Sequence, residues 1–243
     1  MTPTADPATV PGLPESMLRP DHLAALPANV PPAPWECRTR ALIWVQRATP
    51  PSFAWLGRPT RLAMVGFVEY LDSPVGRYHE VLAGNLVRHG LRAWPQVPFI
   101  AVDSLASVAG GRVNWALPKT VAGFETDLEM ASARAEGDGW SVSVRPARAT
   151  RAARLDGAVR PDGAARPDRT AQGWPLRIPI RSRFSSIGPL GSYSASLRAT
   201  GRIVRVKTQV EGETLTGWLS GGSHLAVVLT GRMRVGEPRP TRA

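Results

Sequence analysis

The stretch GRVNWALPKT, residues 111–120, is the most informative part of the sequence for both fold and chemistry. If it is extended, four side chains share one face, because side chains alternate along a strand: Val113, Trp115, Leu117 and Lys119. An amine on such an apolar face is desolvated, which favours its neutral, nucleophilic form. The alternative is that Lys119 reaches water at the end of a strand. The pattern leaves both interpretations open.

Lys207 is the only other lysine of the chain, and its setting differs. In the run IVRVKT, residues 203–208, it shares a face with Arg205 and Gln209, while valines point the other way. This pattern predicts a solvated lysine on a strand. Lys119 is therefore the better candidate for a nucleophile.

Glu80 is a candidate for proton transfer. In GRYHEVL, residues 76–82, alternation places Glu80 on one face with Tyr78 and Leu82. A carboxylate in such surroundings either pairs with a cation or is suited to giving and taking a proton. The alternative is a structural ion pair with one of the many arginines, and the sequence alone favours it.

Short apolar runs separated by turn residues surround these motifs from residue 41 onward. Residues 62–70 and 225–235 are two such runs, and Gly110-Gly111 is one of the predicted turns. Long stripes with a helical period are scarce, so the pattern predicts antiparallel strands. We predict a mostly β (α+β) protein, a sandwich or barrel with a few helices.

Composition divides the chain into three parts. Residues 1–34 are rich in proline and alanine and are predicted to form a mobile N-terminal segment. Residues 35–243 are predicted to form one domain, because strand-like texture continues to the end. Within it, about 145–172 is polar and punctuated by proline and glycine, which indicates a flexible insert.

The overall composition excludes several classes of protein. The 243 residues are 43% hydrophobic and 20% charged, as in a globular protein. A single cysteine, Cys37, excludes an intrachain disulfide and a multi-cysteine metal site, and the four histidines lack ligand spacing. No apolar run approaches the roughly 18 residues of a membrane-spanning helix, and no secretory signal is visible. We expect a cytoplasmic protein with no membrane partner and no metal.

The net charge of +11 comes mostly from arginine. Residues 145–183 hold ten arginines against three aspartates, so this part of the chain could contact nucleic-acid phosphates. It lacks interleaved aromatic residues and any readable nucleic-acid-binding module. We therefore interpret the surplus as a solvated surface loop and do not expect a nucleic-acid partner.

Two of these motifs together resemble a known family. Tyr78-His79-Glu80 is followed, 39 residues after Glu80, by Pro118-Lys119 inside Gly-Arg-x-x-x-Ala-x-Pro-Lys. This arrangement resembles the acetoacetate decarboxylase superfamily. Ser223-His224-Leu225 followed by a β run is similar to that family's closing strand. The resemblance covers most of residues 35–235, without the insert.

The resemblance implies a cone-shaped, largely antiparallel β-barrel with a few peripheral helices, assembled as a homo-oligomer and working without cofactor or metal. It makes Lys119 the Schiff-base lysine and Glu80 a carboxylate that handles protons. It places an arginine that binds the substrate carboxylate near the first strand, with Arg38 the better match and Arg40 a substitute. Tyr78 and Trp115 are the further residues expected to contact substrate.

Two positions depart from the family pattern. The family decarboxylase has a second lysine after the nucleophile, where this chain has Thr120. It also has a second pocket glutamate fifteen residues before the one matched by Glu80, where this chain has Val65. Losing the adjacent cation leaves desolvation to activate the amine of Lys119. Losing the second glutamate changes the polarity of the predicted pocket.

The resulting functional hypothesis is a Schiff-base-forming lyase that decarboxylates a small β-keto acid through a lysine iminium and enamine. Among enzymes, the alternative is a Schiff-base aldolase-dehydratase acting on 2-oxo acids and aldehydes. Outside enzymes, the alternatives are a barrel that binds a small ligand without catalysis and a basic nucleic-acid binder.

Overall fold

The computed structural model of the chain describes residues 5–89, 92–147, 178–185 and 192–239. The predicted insert at 145–172 lies outside these residues from position 148 onward, and its first two residues, Arg145 and Pro146, end a strand.

Strands dominate the described residues, which also contain three short helices and one 3-10 turn. The strands are β1 Trp35–Arg47, β2 Arg58–Asp72, β3 Tyr78–His89, β4 Arg92–Val102, β5 Lys119–Val121, β6 Gly123–Asp127, β7 Ser132–Gly137, β8 Trp140–Pro146, β9 Ile178–Ser185, β10 Ser192–Glu211 and β11 Gly222–Val235. The helices are α1 Pro20–Ala24, α2 Leu105–Trp115 and α3 Leu215–Trp218, and the 3-10 turn is Pro14–Ser16. None of these helices is long and apolar enough to cross a membrane.

The strands form one sheet in the order β11-β1-β2-β3-β4-β9-β10-β8-β7-β6, with β5 attached to β4. β10 also pairs with β11, so the path of pairings curves back to its start. The pairings are antiparallel except for those of β4 with β5 and with β9. The structure thus confirms the predicted mostly β architecture, and its curvature fits a cone or barrel.

The two faces of β1 and its neighbours have different roles. Leu42 and Trp44 belong to the main hydrophobic core, together with side chains of β2, β6–β8 and α3. Ala41 and Ile43 lie on the opposite face and line an internal cavity. Alternation along each strand therefore separates a filled core from a hollow side.

Residues 111–115, which we considered as extended chain, belong instead to helix α2, so the alternating face of Val113, Trp115 and Leu117 does not exist as such. Ser104 begins the helix, because its side chain accepts a hydrogen bond from the backbone N–H of Ser107. The helix ends at Ala116, a left-handed residue with φ 49°. The Leu117-Pro118 pair that follows cannot continue a helix.

The predicted turn at Gly110-Gly111 is likewise wrong, since both glycines lie inside α2. Because glycine has no side chain, neighbouring side chains pack closely against the helix at both positions. A Cβ on Gly110 would lie 2.3 Å from the Trp35 ring, and one on Gly111 would lie 2.5 Å from Cδ of Lys119. Gly111 thereby leaves the space through which the Lys119 side chain passes.

Part of the N-terminal segment that we predicted to be mobile packs against this sheet. Leu13 and Ser16 are buried, and the Ser16 hydroxyl accepts a hydrogen bond from the backbone N–H of Ile100. The Glu15 carboxylate accepts hydrogen bonds from the backbone N–H groups of Thr214 and Leu215 at the start of α3. These contacts join the segment to both β4 and α3.

Candidate active site

An internal cavity of about 470 Å³ lies on the hollow side of the sheet. Side chains of β1–β4, β10 and β11 form most of its wall, and Trp115, Leu117 and Lys119 complete it. The wall is largely apolar. Among the described residues that line it, Glu80 and Lys119 are the charged ones.

Lys119 is the first residue of β5, which pairs in parallel with β4, and its side chain is only 5% exposed. Its Nζ lies 2.8 Å from Oε2 of Glu80 and donates a hydrogen bond of 3.0 Å to Oγ of Ser107. The amine is therefore buried and paired, and it does not reach water at a strand end.

Glu80, from β3, is as buried as its partner, with 4% of its side chain exposed. Its Oε1 accepts a hydrogen bond of 3.3 Å from the Tyr70 hydroxyl. Its Oε2 is in the ion pair with Lys119 but accepts no hydrogen bond within the described part of the chain. The cation that pairs with Glu80 is thus Lys119 and not an arginine.

Two stacked tyrosines flank the pair. The rings of Tyr70 and Tyr78 lie 4.0 Å apart, and Nζ of Lys119 is 5.2 Å from the centre of the Tyr78 ring. Burial, and then the negative charge of Glu80, raise the pKa of both tyrosines well above the ordinary value. Both phenols therefore stay neutral, and their π faces lie 5.2–6.0 Å from the Lys119 ammonium and stabilise it.

Trp115, which we predicted to contact substrate, lines the cavity from the last turn of α2. Its indole N–H donates to the carbonyl of Gly236, and its ring packs edge-on against Trp35 at 5.0 Å. Both contacts orient the indole as a rigid part of the wall.

The structure does not place Arg38, the predicted substrate-binding arginine, at the cavity. Arg38 is exposed and lies on the face of β1 opposite the cavity, while the neighbouring Cys37 and Thr39 line the cavity. Arg40, the substitute, lies on the same face as Arg38, where it pairs with Glu69 and Glu129. Strand alternation excludes both arginines from the cavity, because both occupy even-numbered positions of a strand whose odd-numbered residues point inward.

The two departures from the family pattern also point away from the cavity. Val65 packs in the main core on the other face of β2, whereas Met64 and Gly66 line the cavity. The hydroxyl of Thr120 donates to the carbonyl of Met17, in the N-terminal segment. Neither residue therefore changes the polarity around Lys119, contrary to our expectation.

Arg112 is a positioning residue that sequence reasoning treated only as part of a motif. It is 1% exposed, and its guanidinium donates to three backbone carbonyls, those of Lys119, Pro7 and Ser16. Burial lowers its pKa to about 10. It therefore holds the backbone of Lys119 against α2 and the N-terminal segment.

Ser107 and Cys37 are the further polar neighbours of the pair. Ser107, on α2, accepts from Lys119 and also interacts with the Tyr78 hydroxyl. Cys37 lines the cavity, and burial raises the pKa of its thiol to about 12, so it is an inert wall residue. The described residues contain no group of His, Cys, Asp or Glu that could hold a metal ion.

Solved structures share the fold of this chain. Acetoacetate decarboxylase from Legionella pneumophila subsp. pneumophila str. Philadelphia 1 has a TM-score of 0.57 with this chain, at 12% identity over 90% of this chain and 93% of that one. The chain has the acetoacetate decarboxylase-like fold. The resemblance inferred from the lysine and glutamate motifs is thereby confirmed at the level of the fold.

Two enzymes of other description are similar as well. The enduracididine biosynthesis enzyme MppR, complexed with pyruvate, has a TM-score of 0.55 at 12% identity, over 94% of this chain and 96% of that one. An acetoacetate decarboxylase-like enzyme from Sphingomonas wittichii RW1 has a TM-score of 0.53 at 15% identity, over 88% of this chain and 95% of that one. No protein-family model and no curated protein sequence matches the chain.

Proposed function

We propose that the protein is a Schiff-base-forming lyase in which Lys119 attacks the carbonyl of a β-keto acid and carbon dioxide is lost. The observation that carries this proposal is the buried pair itself, with Nζ of Lys119 2.8 Å from Oε2 of Glu80 in the wall of a cavity large enough for a ligand. Like the hypothesis from sequence, the proposal requires no cofactor.

Glu80 supplies the proton handling that imine formation needs. An ammonium cannot attack a carbonyl, but transfer of its proton to Glu80 leaves a neutral amine beside a neutral acid. The amine then adds to the carbonyl carbon and the resulting carbinolamine loses water. Overall, ammonium and ketone become iminium and water, and the Glu80 carboxylate pairs with the new cation.

Loss of carbon dioxide follows from the iminium. The electron pair of the bond to the carboxylate carbon moves into a new carbon–carbon double bond, and the iminium nitrogen becomes the neutral nitrogen of an enamine. The enamine carbon takes up a proton, and water then hydrolyses the iminium to release the ketone and regenerate Lys119. One proton from solvent is consumed and one carbon dioxide is formed. The apolar wall around Trp115 and Leu117 strips water from the substrate carboxylate, which favours its departure as a neutral molecule.

Borohydride trapping tests the covalent step. Incubation with acetoacetate and borohydride should add one reduced adduct to the intact mass, and peptide mapping should place it on Lys119. Lys207→Ala is the matched control, because Lys207 is the only other lysine and is exposed on β10. It should trap like the wild type, whereas Lys119→Ala should not trap at all.

The same experiment separates the alternatives. Carbon dioxide release from acetoacetate with a Lys119 adduct supports the lyase. Trapping with pyruvate, followed by condensation with an added aldehyde and no carbon dioxide release, would assign an aldolase-dehydratase instead. An adduct that persists at the same rate in Lys119→Ala would show that Lys119 is not the nucleophile.

A further inference from the structure

The cavity is too large for the smallest β-keto acids. Its volume of about 470 Å³ falls in the range of about 300–1,000 Å³ that holds drug-sized ligands. At about 30 Å³ for each water-sized group, it has room for on the order of fifteen non-hydrogen atoms. Acetoacetate has seven such atoms, so most of the cavity would stay unfilled around it.

The strand register shows where the extra space lies. Glu80 pairs with Val68, and the next inward residues along the same strands are Ile43, Gly66 and Leu82. One layer further out, Val45 pairs with Met64. Successive inward residues lie about 6.8 Å apart, so these two apolar layers extend about 14 Å from the layer of Glu80.

The outer end of the cavity is apolar and open. Val45 and Leu225 both line it and are 56% and 61% exposed. Large apolar side chains with that exposure form a mouth through which an alkyl chain passes without meeting a polar barrier. The charged pair lies two layers inward from this mouth, and the lining continues beyond the pair to Thr39, Cys37 and Trp35.

Charge restricts the ligand further. Within the described lining, the one cation is Lys119, and Glu80 already pairs with it. No described lining residue remains to bind a phosphate, a second carboxylate or another anionic group near the mouth. The described outer layers of the lining therefore suit a part of the ligand that is uncharged and apolar.

We infer that the substrate is a 3-oxo acid with an apolar chain on the order of eight to ten carbons behind its reacting carbonyl, an inference that rests on the proposed function. The carbonyl lies at Lys119 and Glu80, and the chain runs along the layer of Ile43 and Leu82 to the mouth at Val45. The product is the corresponding methyl ketone.

A chain-length series tests this inference. Acetoacetate and unbranched 3-oxo acids of six, eight, ten and twelve carbons are compared by the concentration that gives half-maximal borohydride trapping. Each buried methylene should lower that concentration about threefold to fourfold until the cavity is full. Equal values across the series, or the lowest value for acetoacetate, would overturn the inference and leave the lyase proposal intact.

Two variants test where the alkyl chain of the substrate lies. Val45→Glu places a charge at the mouth, where exposure lets the fold accept it. It should weaken trapping of the ten- and twelve-carbon acids at least tenfold more than it weakens trapping of acetoacetate. Ile203→Glu is the matched control, because Ile203 is similarly exposed, at 61% against 56% for Val45, but does not line the cavity. An equal loss in both variants would contradict the assigned path.

A ligand without a carbonyl separates the two proposals. Primary alcohols of four to twelve carbons cannot form an imine, and calorimetric titration of the Lys119→Met variant measures their binding. Affinity that rises with chain length supports the apolar subsite even if no keto acid is trapped, in which case only the lyase proposal fails. Absence of any length dependence overturns the subsite.

Discussion

Replacing Glu80 by glutamine tests the physical basis of the site, because it removes one charge of the buried pair and keeps the shape of the side chain. Two unit charges 2.8 Å apart interact by about 6 kcal/mol at an effective dielectric constant of 20. Removing one partner of a buried pair typically costs about 3–5 kcal/mol, because the remaining charge is left without compensation. We expect Glu80→Gln to lower the free energy of unfolding by that amount.

Urea unfolding followed by tryptophan fluorescence measures the loss. Glu69→Gln is the control, since it breaks the ion pair of Glu69 with Arg40, whose guanidinium keeps a second partner in Glu129. That pair is partly exposed, and its loss should cost about 1 kcal/mol or less.

The double variant Glu80→Gln/Lys119→Met decides whether the loss comes from an unpaired charge. Removing the lysine from the glutamine background removes the uncompensated ammonium, so the double variant should regain at least about 2 kcal/mol relative to Glu80→Gln. Additive losses of the two single variants, or a cost below 1 kcal/mol for Glu80→Gln, would refute the reasoning.

Two further predictions follow from buried groups around the site. Because burial raises the pKa of Cys37 to about 12, its thiol should react with a disulfide reagent at pH 8 on the order of a thousandfold more slowly in the native than in the urea-unfolded protein, and equal rates would contradict its burial. The raised pKa values of Tyr70, Tyr78 and Tyr193 contribute stability that is present below about pH 10 and lost as pH rises above it. Between pH 8 and 10.5, each of these tyrosines should lower the free energy of unfolding, measured with urea, by about 0.8 kcal/mol. Tyr193→Phe should make this decrease with pH smaller.

Residue types and spacing were enough to find the central pair. Lys119 stood out because it is one of only two lysines and has apolar neighbours, and Glu80 because a carboxylate among aromatic residues needs a partner. The structure brings these two residues to 2.8 Å, although 39 positions separate them. The alternating pattern of β1–β4 likewise predicted strands correctly, because one face of each is buried in a continuous core.

The alternation of side chains misleads where the same residues suit both a strand and a helix. Residues 111–115 alternate polar and apolar side chains as a strand would, yet they lie in α2, because Ser104 caps a helix whose glycines pack against Trp35 and Lys119. Arg38 was misplaced for a related reason. Alternation says that neighbouring side chains of β1 point to opposite faces, but it does not say which face surrounds the cavity.

The sequence by itself thus determined the strand-rich fold, the candidate nucleophile and the candidate proton carrier, since each depends on residue type and on short-range periodicity. Only the tertiary structure decided which strand faces line the cavity. It also decided that Arg112 holds the backbone of Lys119, and that Ser107 and Tyr70 complete the hydrogen-bond network around the pair. Those relations join residues from separate elements, and their distances depend on how the sheet curves and where α2 packs. No periodicity within a single element encodes that geometry.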